Sequence, residues 1–186
     1  MSEGIELVKK HIEFTEVFAE YDDLVVYTPR LPLGENWAYL GQVARKRDGE
    51  IPDHSGMILL AKDGSDPLGD IVDWEPVMHG IHPTPFSSWR GIPADPERYV
   101  SGGDFFVLGM NKPTPEQTAG IKAIRRDLIL ESKPDRCIWG VPLPFNGLTI
   151  WDVTLLVLTH QPTGAFVSTS AQSADGITLP VIFFKA

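Results

Sequence analysis

Short aspartate–glycine turns are the residues of this sequence best suited to binding chemistry. An aspartate accepts hydrogen bonds from ligand hydroxyls, the backbone N–H groups of a glycine turn donate further ones, and an aromatic ring covers the apolar face of a sugar. The sequence offers two such turns and two candidate aromatic residues: Gly102, Gly103, Asp104, Asp175, Gly176, Tyr99 and Trp37. Aspartate and glycine are also ordinary turn residues, so this set is a hypothesis for a ligand site.

Histidines offer the donor atoms for a metal site, but their setting argues against one. His79 and His82 lie three residues apart, and His54 or His160 would be needed to complete a metal site. Pro83 follows His82 directly, and the stretch reads as a linker between two repeats. We therefore interpret these histidines as solvated and expect no metal.

Acid–base chemistry has one further candidate pair. A period of two places Asp73 and Glu75 on one face of a strand, where they would suit calcium binding or general acid–base catalysis. We favour solvent-facing carboxylates, because the sequence contains none of the G-x-S-x-G, P-loop, H-E-x-x-H, C-x-x-C or G-x-G-x-x-G patterns. We expect a non-catalytic protein without a cofactor.

Charge and cysteine content limit the partners and the compartment. The formal net charge of −9 argues against nucleic acid as a partner and, more weakly, against anionic lipid. No apolar run reaches eighteen residues, and MSEGIELVKK lacks the core of a signal peptide. Cys137, the single cysteine, permits no internal disulfide, which suits a reducing compartment. We expect a cytoplasmic protein with Cys137 buried in its core.

The elements that would position these residues recur three times along the chain. Tyr27, Trp89 and Trp151 are separated by 62 positions and lie in apolar or β-branched runs. A glycine follows each of them after fourteen or thirteen residues, at Gly41, Gly103 and Gly164. A closing apolar strand comes after each glycine. Three markers in register three times predict an internal repeat, whereas regular turns in an unrepeated all-β chain are the alternative.

The repeat predicts a fold. A unit of this length holds roughly four short strands, and one four-stranded sheet cannot bury its apolar face alone. Three sheets packed around a common axis can. We predict an all-β chain, specifically a β-prism of three short antiparallel sheets with internal threefold pseudosymmetry. It forms a single domain over residues 1–186, with repeats at approximately 24–80, 86–141 and 148–186.

Local patterns predict the elements between these markers. Residues 1–11 suggest a short helix or a disordered arm, and residues 13–20 a strand. The run AYLGQVAR reads as one strand, and MHGIHPTPF as a linker between two repeats. TPEQTAG begins like a helix, and we expect at most one helical turn before a strand at IKAIRR.

Three segments of the chain follow the pattern of a known family: FTEVFAEYDDLVVYTPRLPLGENWAYLGQVA, YVSGGDFFVLGMNKPTPEQTAGIKAIRRDLI and PTGAFVSTSAQSADGITLPVIFFK. Through these segments the sequence resembles the vacuolar protein sorting-associated protein sixty-two-related family of fungi and plants. The likeness spans about Phe14 to Lys185, with Gln42 where the family tends to have aspartate and Phe183–Phe184 where it often has Cys-Leu. The resemblance implies a β-prism used as a binding module, similar to modules of endosomal-sorting proteins and of some pore-forming toxins.

Two binding functions follow as alternatives. The first is a lectin-like module that binds a glycan or glycoconjugate through loops at the prism end. The second is an adaptor that docks a lipid membrane or a protein through the apolar loop tips at residues 83–86 and 142–145, unless Phe86 and Phe145 instead cap the prism base. An aspartate and an aromatic in a shallow polar pocket would favour the first, and a contiguous apolar patch ringed by basic residues the second.

Overall fold

The described part of the chain folds into short β-strands and one 3-10 turn, Arg126–Leu128. The computed structural model describes residues 7–13, 16–21, 24–46, 55–61, 66–80, 84–140, 148–154 and 160–183. The strands fall into three groups of six. The first group is β1 (Leu7–Glu13), β2 (Glu16–Tyr21), β3 (Leu24–Thr28), β4 (Trp37–Tyr39), β5 (Val43–Lys46) and β6 (Ser55–Ala61).

The two remaining groups follow the same order. The second group is β7 (Leu68–Gly69), β8 (Ile71–Gly80), β9 (Phe86–Pro93), β10 (Tyr99–Ser101), β11 (Asp104–Leu108) and β12 (Ala123–Arg125). The third group is β13 (Ile129–Ser132), β14 (Arg136–Gly140), β15 (Thr149–Asp152), β16 (His160–Pro162), β17 (Val167–Thr169) and β18 (Leu179–Phe183).

Strand pairing repeats with a period of six strands, which confirms the all-β fold and its internal repeat. One antiparallel sheet of each group pairs its second, third and fifth strands, in the orders β2-β3-β5, β8-β9-β11 and β14-β15-β17. A second pairs the first, sixth and fourth, in the orders β1-β6-β4, β7-β12-β10 and β13-β18-β16. The described residues thus form six three-stranded sheets where three were expected, because each repeat divides between two sheets.

The strand pairing also sets the phase of the repeat. Each group of six begins two strands before Tyr27, Trp89 or Trp151, because these aromatic markers lie on the third strand, β3, β9 or β15. The pairing therefore groups the chain as β1–β6, β7–β12 and β13–β18, earlier in sequence than the ranges 24–80, 86–141 and 148–186. A single domain over residues 1–186 stays a prediction.

Three small residues meet where the repeats converge. A Cβ added to Gly41 would lie 2.8 Å from the Ala165 Cβ, and one added to Gly103 would lie 2.7 Å from that same atom. These positions are separated by 62 residues, so the third equivalent is Ala165 and the expected Gly164 is one residue off. The close approach interrupts the predicted strand AYLGQVAR, which divides into β4 and β5 at buried residues 40–42.

A central apolar cluster combines side chains from all three repeats. Leu24 comes from the first repeat, Phe86 and Phe106 from the second, and Ile150 and Phe166 from the third, all fully buried. The Phe86 and Phe106 rings stack with their centroids 5.1 Å apart. Phe86 therefore belongs to the core, which rules out the alternative that the loop tip at 83–86 presents it to a membrane. The tip at 142–145 lies outside the described residues.

Tertiary pairing overrides local preference at the ends of the predicted elements. Leu7–Glu13 forms strand β1 instead of a helix or arm, because it pairs along its whole length with the apolar strand β6. The expected linker at His79 is the end of β8, which pairs with β9 as far as Gly80. Cys137 is exposed, not a core residue, although its neighbours Ile138 and Trp139 are buried.

The segment TPEQTAG makes the single turn that the sequence predicts. The Thr114 N–H donates to Gln117 Oε1, and the Gln117 N–H donates to Thr114 Oγ1, which is a reciprocal capping arrangement. The Thr118 N–H donates to the Thr114 carbonyl oxygen at 3.1 Å. Gly120 follows with a φ of 86°, which ends the turn.

Replacing Tyr39 with phenylalanine should raise stability by about 1 kcal/mol, because the buried hydroxyl has no hydrogen-bond partner of normal geometry among the described residues. Burial raises the pKa of Tyr39 to about 12, against a smaller lowering by the Thr28 side chain. An unfolded tyrosine ionises near pH 10, so the native state retains more protons and the tyrosine's contribution to stability falls between about pH 10 and pH 12. Urea unfolding across this pH range should show a smaller loss of the free energy of unfolding for Tyr39→Phe than for the wild type. Identical pH profiles of the two proteins would contradict this prediction.

Candidate functional site

A row of three charged side chains crosses the second repeat. In the sheet β8-β9-β11, Glu75 lies opposite Arg90 on one side, and Asp104 lies opposite Arg90 on the other. The Arg90 Nε donates to Asp104 Oδ1 at 2.9 Å, and its Nη2 donates to Asp104 Oδ2 at 3.1 Å. This is the paired, planar contact that arginine and carboxylate favour. It places a guanidinium between two carboxylates.

Asp104 is a structural residue that joins the second repeat to the third. It is fully buried, and its Oδ2 accepts both the N–H and the hydroxyl of Ser168 at 2.7 Å. The Asp104 N–H donates to the Phe166 carbonyl oxygen at 2.8 Å. Arg90 and Ser168 therefore occupy the carboxylate that the sequence predicted to bind ligand hydroxyls.

The same inter-repeat contact occurs one repeat earlier with a neutral side chain. Gln42 precedes Asp104 by 62 positions, and its Oε1 accepts the N–H of Phe106 at 2.7 Å. Phe106 precedes Ser168 by the same interval. The residue after Gly41 and the residue after Gly103 thus each make a hydrogen bond to the next repeat. This contact explains why polar side chains are buried in the centre of an otherwise apolar core.

Arg90 and Glu75 retain hydrogen-bonding capacity. Arg90 is about one third exposed, and its contacts to Asp104 use Nε and Nη2, leaving both N–H groups of Nη1 without a partner among the described residues. Burial lowers the pKa of Arg90, but the Asp104 and Glu75 carboxylates outweigh it, so the pKa is raised and the guanidinium stays charged. Glu75 is exposed and, within the described part of the chain, accepts no hydrogen bond.

Arg90 lines a cleft of about 430 Å³ between the second and third repeats, and this cleft is the candidate site. Repeat two contributes Glu75, Arg90, Tyr99 and Ser101, and repeat three contributes residues 176–180. Four of the seven predicted site residues line it: Tyr99, Gly103, Asp104 and Gly176. The volume falls in the range of small-molecule sites.

The other three predicted residues lie elsewhere. Trp37 packs against the apolar cluster around Tyr39. Gly102 is buried, and a Cβ there would lie 2.4 Å from the Leu40 Cβ. Asp175 is exposed and accepts hydrogen bonds from Lys133 Nζ and the Ser173 hydroxyl, which lower its pKa. These three residues therefore do not meet the other four in one cleft, because the turn pattern does not show which way each turn faces.

Tyr99 forms part of the cleft wall and is largely buried there. Its hydroxyl donates to the Asp66 carbonyl oxygen at 2.8 Å, which fixes the ring at the edge of β10. The Arg98 guanidinium lies 5.4 Å from the ring centroid. The apolar side chains of Ile92, Val167 and Leu179 line the same cleft. The cleft therefore combines an apolar wall with the open polar atoms of Arg90 and Glu75.

A comparison with the first pair of repeats explains why the cleft is open. At the equivalent place, Tyr39 pairs with Ile121, and both side chains are buried in one cluster. We call this the plugged groove. Adding 62 to Tyr39 gives Ser101. Ile124 pairs with Val100, and Val181 pairs with Pro162, the residue equivalent to Val100. Ile121 and Thr178 therefore also correspond, because each lies three residues before one of these paired strand residues.

Small polar residues thus replace large apolar ones in the open cleft. Ser101 and Thr178 stand where the plugged groove has Tyr39 and Ile121. The connecting segments differ too, since residues 109–122 join β11 to β12, whereas the shorter segment 170–178 joins β17 to β18. The longer segment reaches into the plugged groove, and the shorter one leaves space between the repeats.

Sequence reasoning missed most of the residues that define this cleft, and it considered Glu75 only together with Asp73. Arg90, Glu75, Ser101 and Thr178 carry its polar atoms or its free volume. The 62-residue repeat contained the signal, because aligning the copies places Ser101 at the position equivalent to Tyr39. Predicting the contact between Arg90 and Asp104 required the strand register, which the amino-acid composition does not give. The predicted face shared by Asp73 and Glu75 is present, but Asp73 is paired with Lys112, which lowers its pKa.

Comparison with known proteins points to one architecture. No family model and no curated protein matches this sequence. A similar solved structure is GNIP1Aa from Chromobacterium piscinae, with a TM-score of 0.71 and 14% sequence identity. This chain shares its fold with part of GNIP1Aa. The likeness covers 95% of this chain and 37% of GNIP1Aa, so the chain spans little more than a third of that protein's length.

Metal and membrane features were searched among the described residues. There, no cluster of three or more histidine, cysteine, aspartate or glutamate side chains has the arrangement to bind a metal ion. His79 is exposed on β8 and His160 contacts the Phe183 ring, while His54 and His82 lie outside the described ranges. Within the same ranges, no helix has the length and apolar character to cross a membrane.

Proposed function

We propose that this protein is a non-catalytic binding module that holds a glycan in the cleft between its second and third repeats. The likeness to about a third of a longer protein supports a module, and the cleft supports a small-molecule site. The observation that supports this proposal most strongly is an adjacent pair of polar groups that have no hydrogen-bond partner among the described residues. Arg90 Nη1 offers two donors, and the Glu75 carboxylate opposite it offers acceptors.

Sugars match this arrangement because each hydroxyl both donates and accepts a hydrogen bond. One ligand hydroxyl can accept from Arg90 while its neighbour donates to Glu75. The apolar wall formed by Ile92 and Leu179, together with the Tyr99 edge, suits the C–H face of a pyranose ring. A purely apolar ligand would leave the guanidinium and the carboxylate desolvated without partners, which is unfavourable.

The charge of the cleft favours a neutral glycan. Asp104 pairs with Arg90, and on the rim Arg126 pairs with Glu131 at 3.2 Å. Among the described residues Glu75 has no ion pair, and its negative charge lies near the open side of Arg90. An acidic sugar would meet this carboxylate at close range, and like charges in a partly desolvated site are costly. We therefore place neutral sugars ahead of uronic or sialic acids.

Replacing Thr178 with isoleucine should abolish glycan binding and leave the fold intact. The larger side chain recreates the residue found in the plugged groove, so it fills the space next to Ser101. We expect at least a tenfold loss of binding on a glycan array, about 1.4 kcal/mol, with soluble-sugar competition to establish saturable sites on the wild type.

Thr84→Ile is the matched control, because Thr84 is exposed and outside the cleft. It makes the same chemical change without filling the site, so its binding should equal the wild type. Equal binding by Thr178→Ile and wild type would place the glycan elsewhere. Absence of any sugar binding by the wild type would overturn the proposed function.

A second candidate function is an adaptor that docks a lipid membrane or a protein partner. One observation favours it: Leu108 and Met110 are exposed at 51% and 44% at the end of β11, where the Gly109 N–H bonds to the Pro85 carbonyl oxygen. Flotation with neutral and acidic liposomes tests it. If the wild type floats with liposomes and binds no sugar, and Leu108→Glu does not float, the adaptor function is favoured. If neither the wild type nor the variant floats, lipid is excluded as the partner.

Two earlier expectations remain proposals. Membership of the vacuolar protein sorting-associated protein sixty-two-related family rests on the sequence resemblance alone, because the fold likeness to GNIP1Aa does not bear on it. A cytoplasmic location rests on the single cysteine, which suits a reducing compartment. Both would fit a module that meets glycoconjugates or partners inside the cell.

A further inference from the structure

The backbone of Ser101 presents an open hydrogen-bonding edge on the wall of the cleft. Opposite residues in an antiparallel pair alternate between bonded and non-bonded positions. The Arg125 N–H donates to Pro67, on the far side of β12, so the pair Tyr99–Arg125 is a non-bonded one. Ser101–Ala123, two positions along, is then non-bonded as well. The Ser101 N–H and C=O therefore point away from β12.

Nothing in the described part of the chain occupies these two groups. The Ser101 hydroxyl donates to the Gly103 carbonyl oxygen, but the Ser101 N–H and C=O have no partner among the described residues. Ser101 is itself buried and lines the cleft. An unpaired backbone donor and acceptor beside each other in a half-enclosed site cost free energy unless a ligand or water satisfies them.

The plugged groove shows which chemistry satisfies the equivalent residue. The Tyr39 N–H donates to the Gly120 carbonyl oxygen at 3.0 Å, and the Lys122 N–H donates to the Tyr39 carbonyl oxygen at 3.0 Å. Both partners are amide groups, and the Ile121 side chain between them packs in the apolar cluster. An amide next to an apolar group is thus the natural occupant of this edge.

We infer that the glycan bound in the cleft carries an acetamido group, as in an N-acetylhexosamine. This inference rests on the proposed function. The acetamido carbonyl oxygen accepts from the Ser101 N–H, as Gly120 does for Tyr39, and a ring hydroxyl donates to the Ser101 C=O. The acetyl methyl group lies on the apolar wall of Ile92, Val167 and Leu179. The remaining hydroxyls meet Arg90 and Glu75.

Affinities of the wild-type protein for four monosaccharides test this inference without any variant. N-acetylglucosamine should bind about tenfold more tightly than glucose, the difference that one good hydrogen bond and a buried methyl group give. Glucuronic acid should bind more weakly than either, and glucosamine, measured at a pH at which its amine is uncharged, should resemble glucose. Equal binding of glucose and N-acetylglucosamine would overturn the acetamido inference and keep the glycan function. No binding of any sugar would overturn both.

Ser101→Pro isolates the backbone donor. Proline removes the N–H, and at Ser101 that N–H takes no part in the ladder with β12, so the strand tolerates it better than it would at Val100. We expect the affinity of this variant for N-acetylglucosamine to fall to its affinity for glucose, so that the tenfold preference is lost. A folded Ser101→Pro protein that keeps the tenfold preference would contradict the assigned donor.

Discussion

Asp104→Asn should lower the free energy of unfolding by about 3 kcal/mol. The wild-type carboxylate accepts four hydrogen bonds, two from Arg90 and two from Ser168, and every one of these groups donates. Asparagine keeps the shape but replaces one acceptor oxygen by an NH₂ donor. That NH₂ must then face donors, either the Arg90 guanidinium or the Ser168 N–H and hydroxyl, and the arginine loses its counter-charge.

Equilibrium unfolding in urea at neutral pH measures this effect. Asp175→Asn is the matched control, because Asp175 makes the same kind of ion pair with Lys133 but is exposed. Exposed pairs contribute little, so the control should unfold at the wild-type urea concentration. A loss below about 1 kcal/mol for Asp104→Asn would mean that the carboxylate does not join the repeats and would reopen it as a ligand group.

Gly41→Ala should lower stability by about 2 kcal/mol, and Ala165→Gly should rescue it. The new Cβ would lie 2.8 Å from the Ala165 Cβ, closer than two methyl groups can approach, while its next neighbours are at 3.5 Å and beyond. The convergence of the repeats therefore accepts one methyl group among its three equivalent positions. Moving that methyl from residue 165 to residue 41 keeps the total unchanged.

A double-mutant cycle measures the rescue. Ala165→Gly alone should cost about 1 kcal/mol through the lost methyl group. If the two positions meet at one point, the double variant is more stable than Gly41→Ala by at least about 1 kcal/mol. Strictly additive losses in the two single variants would show that Gly41 and Ala165 do not share one space, and would contradict the threefold convergence.

The repeat could be predicted from the sequence because burial imposes the same residue types at a fixed interval. Tyr27, Trp89 and Trp151 occupy equivalent strands, so their spacing survives divergence of the residues between them. The number of sheets could not be predicted, since the division of each repeat depends on backbone crossing at Gly41 and Gly103. The strand at Leu7–Glu13 could not be predicted for a related reason, because it forms through pairing with β6.

The candidate site was only half visible in the sequence. Tyr99, Gly103, Asp104 and Gly176 do lie together, because the prism brings the loops of neighbouring repeats to one cleft. Asp104 looked like a ligand residue since an aspartate beside glycines is common to turns and sugar sites, and only three-dimensional packing reveals its four donors. The open edge of Ser101 is a property of strand register, which leaves no mark on the sequence.

The most direct test of the glycan site is an NMR titration of the ¹⁵N-labelled protein with glucose, mannose, galactose and N-acetylglucosamine. The account predicts saturable shifts of backbone resonances for at least one of these sugars, concentrated at Glu75, Arg90, Ser101 and Thr178, and their loss in Thr178→Ile. Unchanged spectra with all four sugars would contradict the account. So would shifts that cluster away from the cleft and persist in Thr178→Ile.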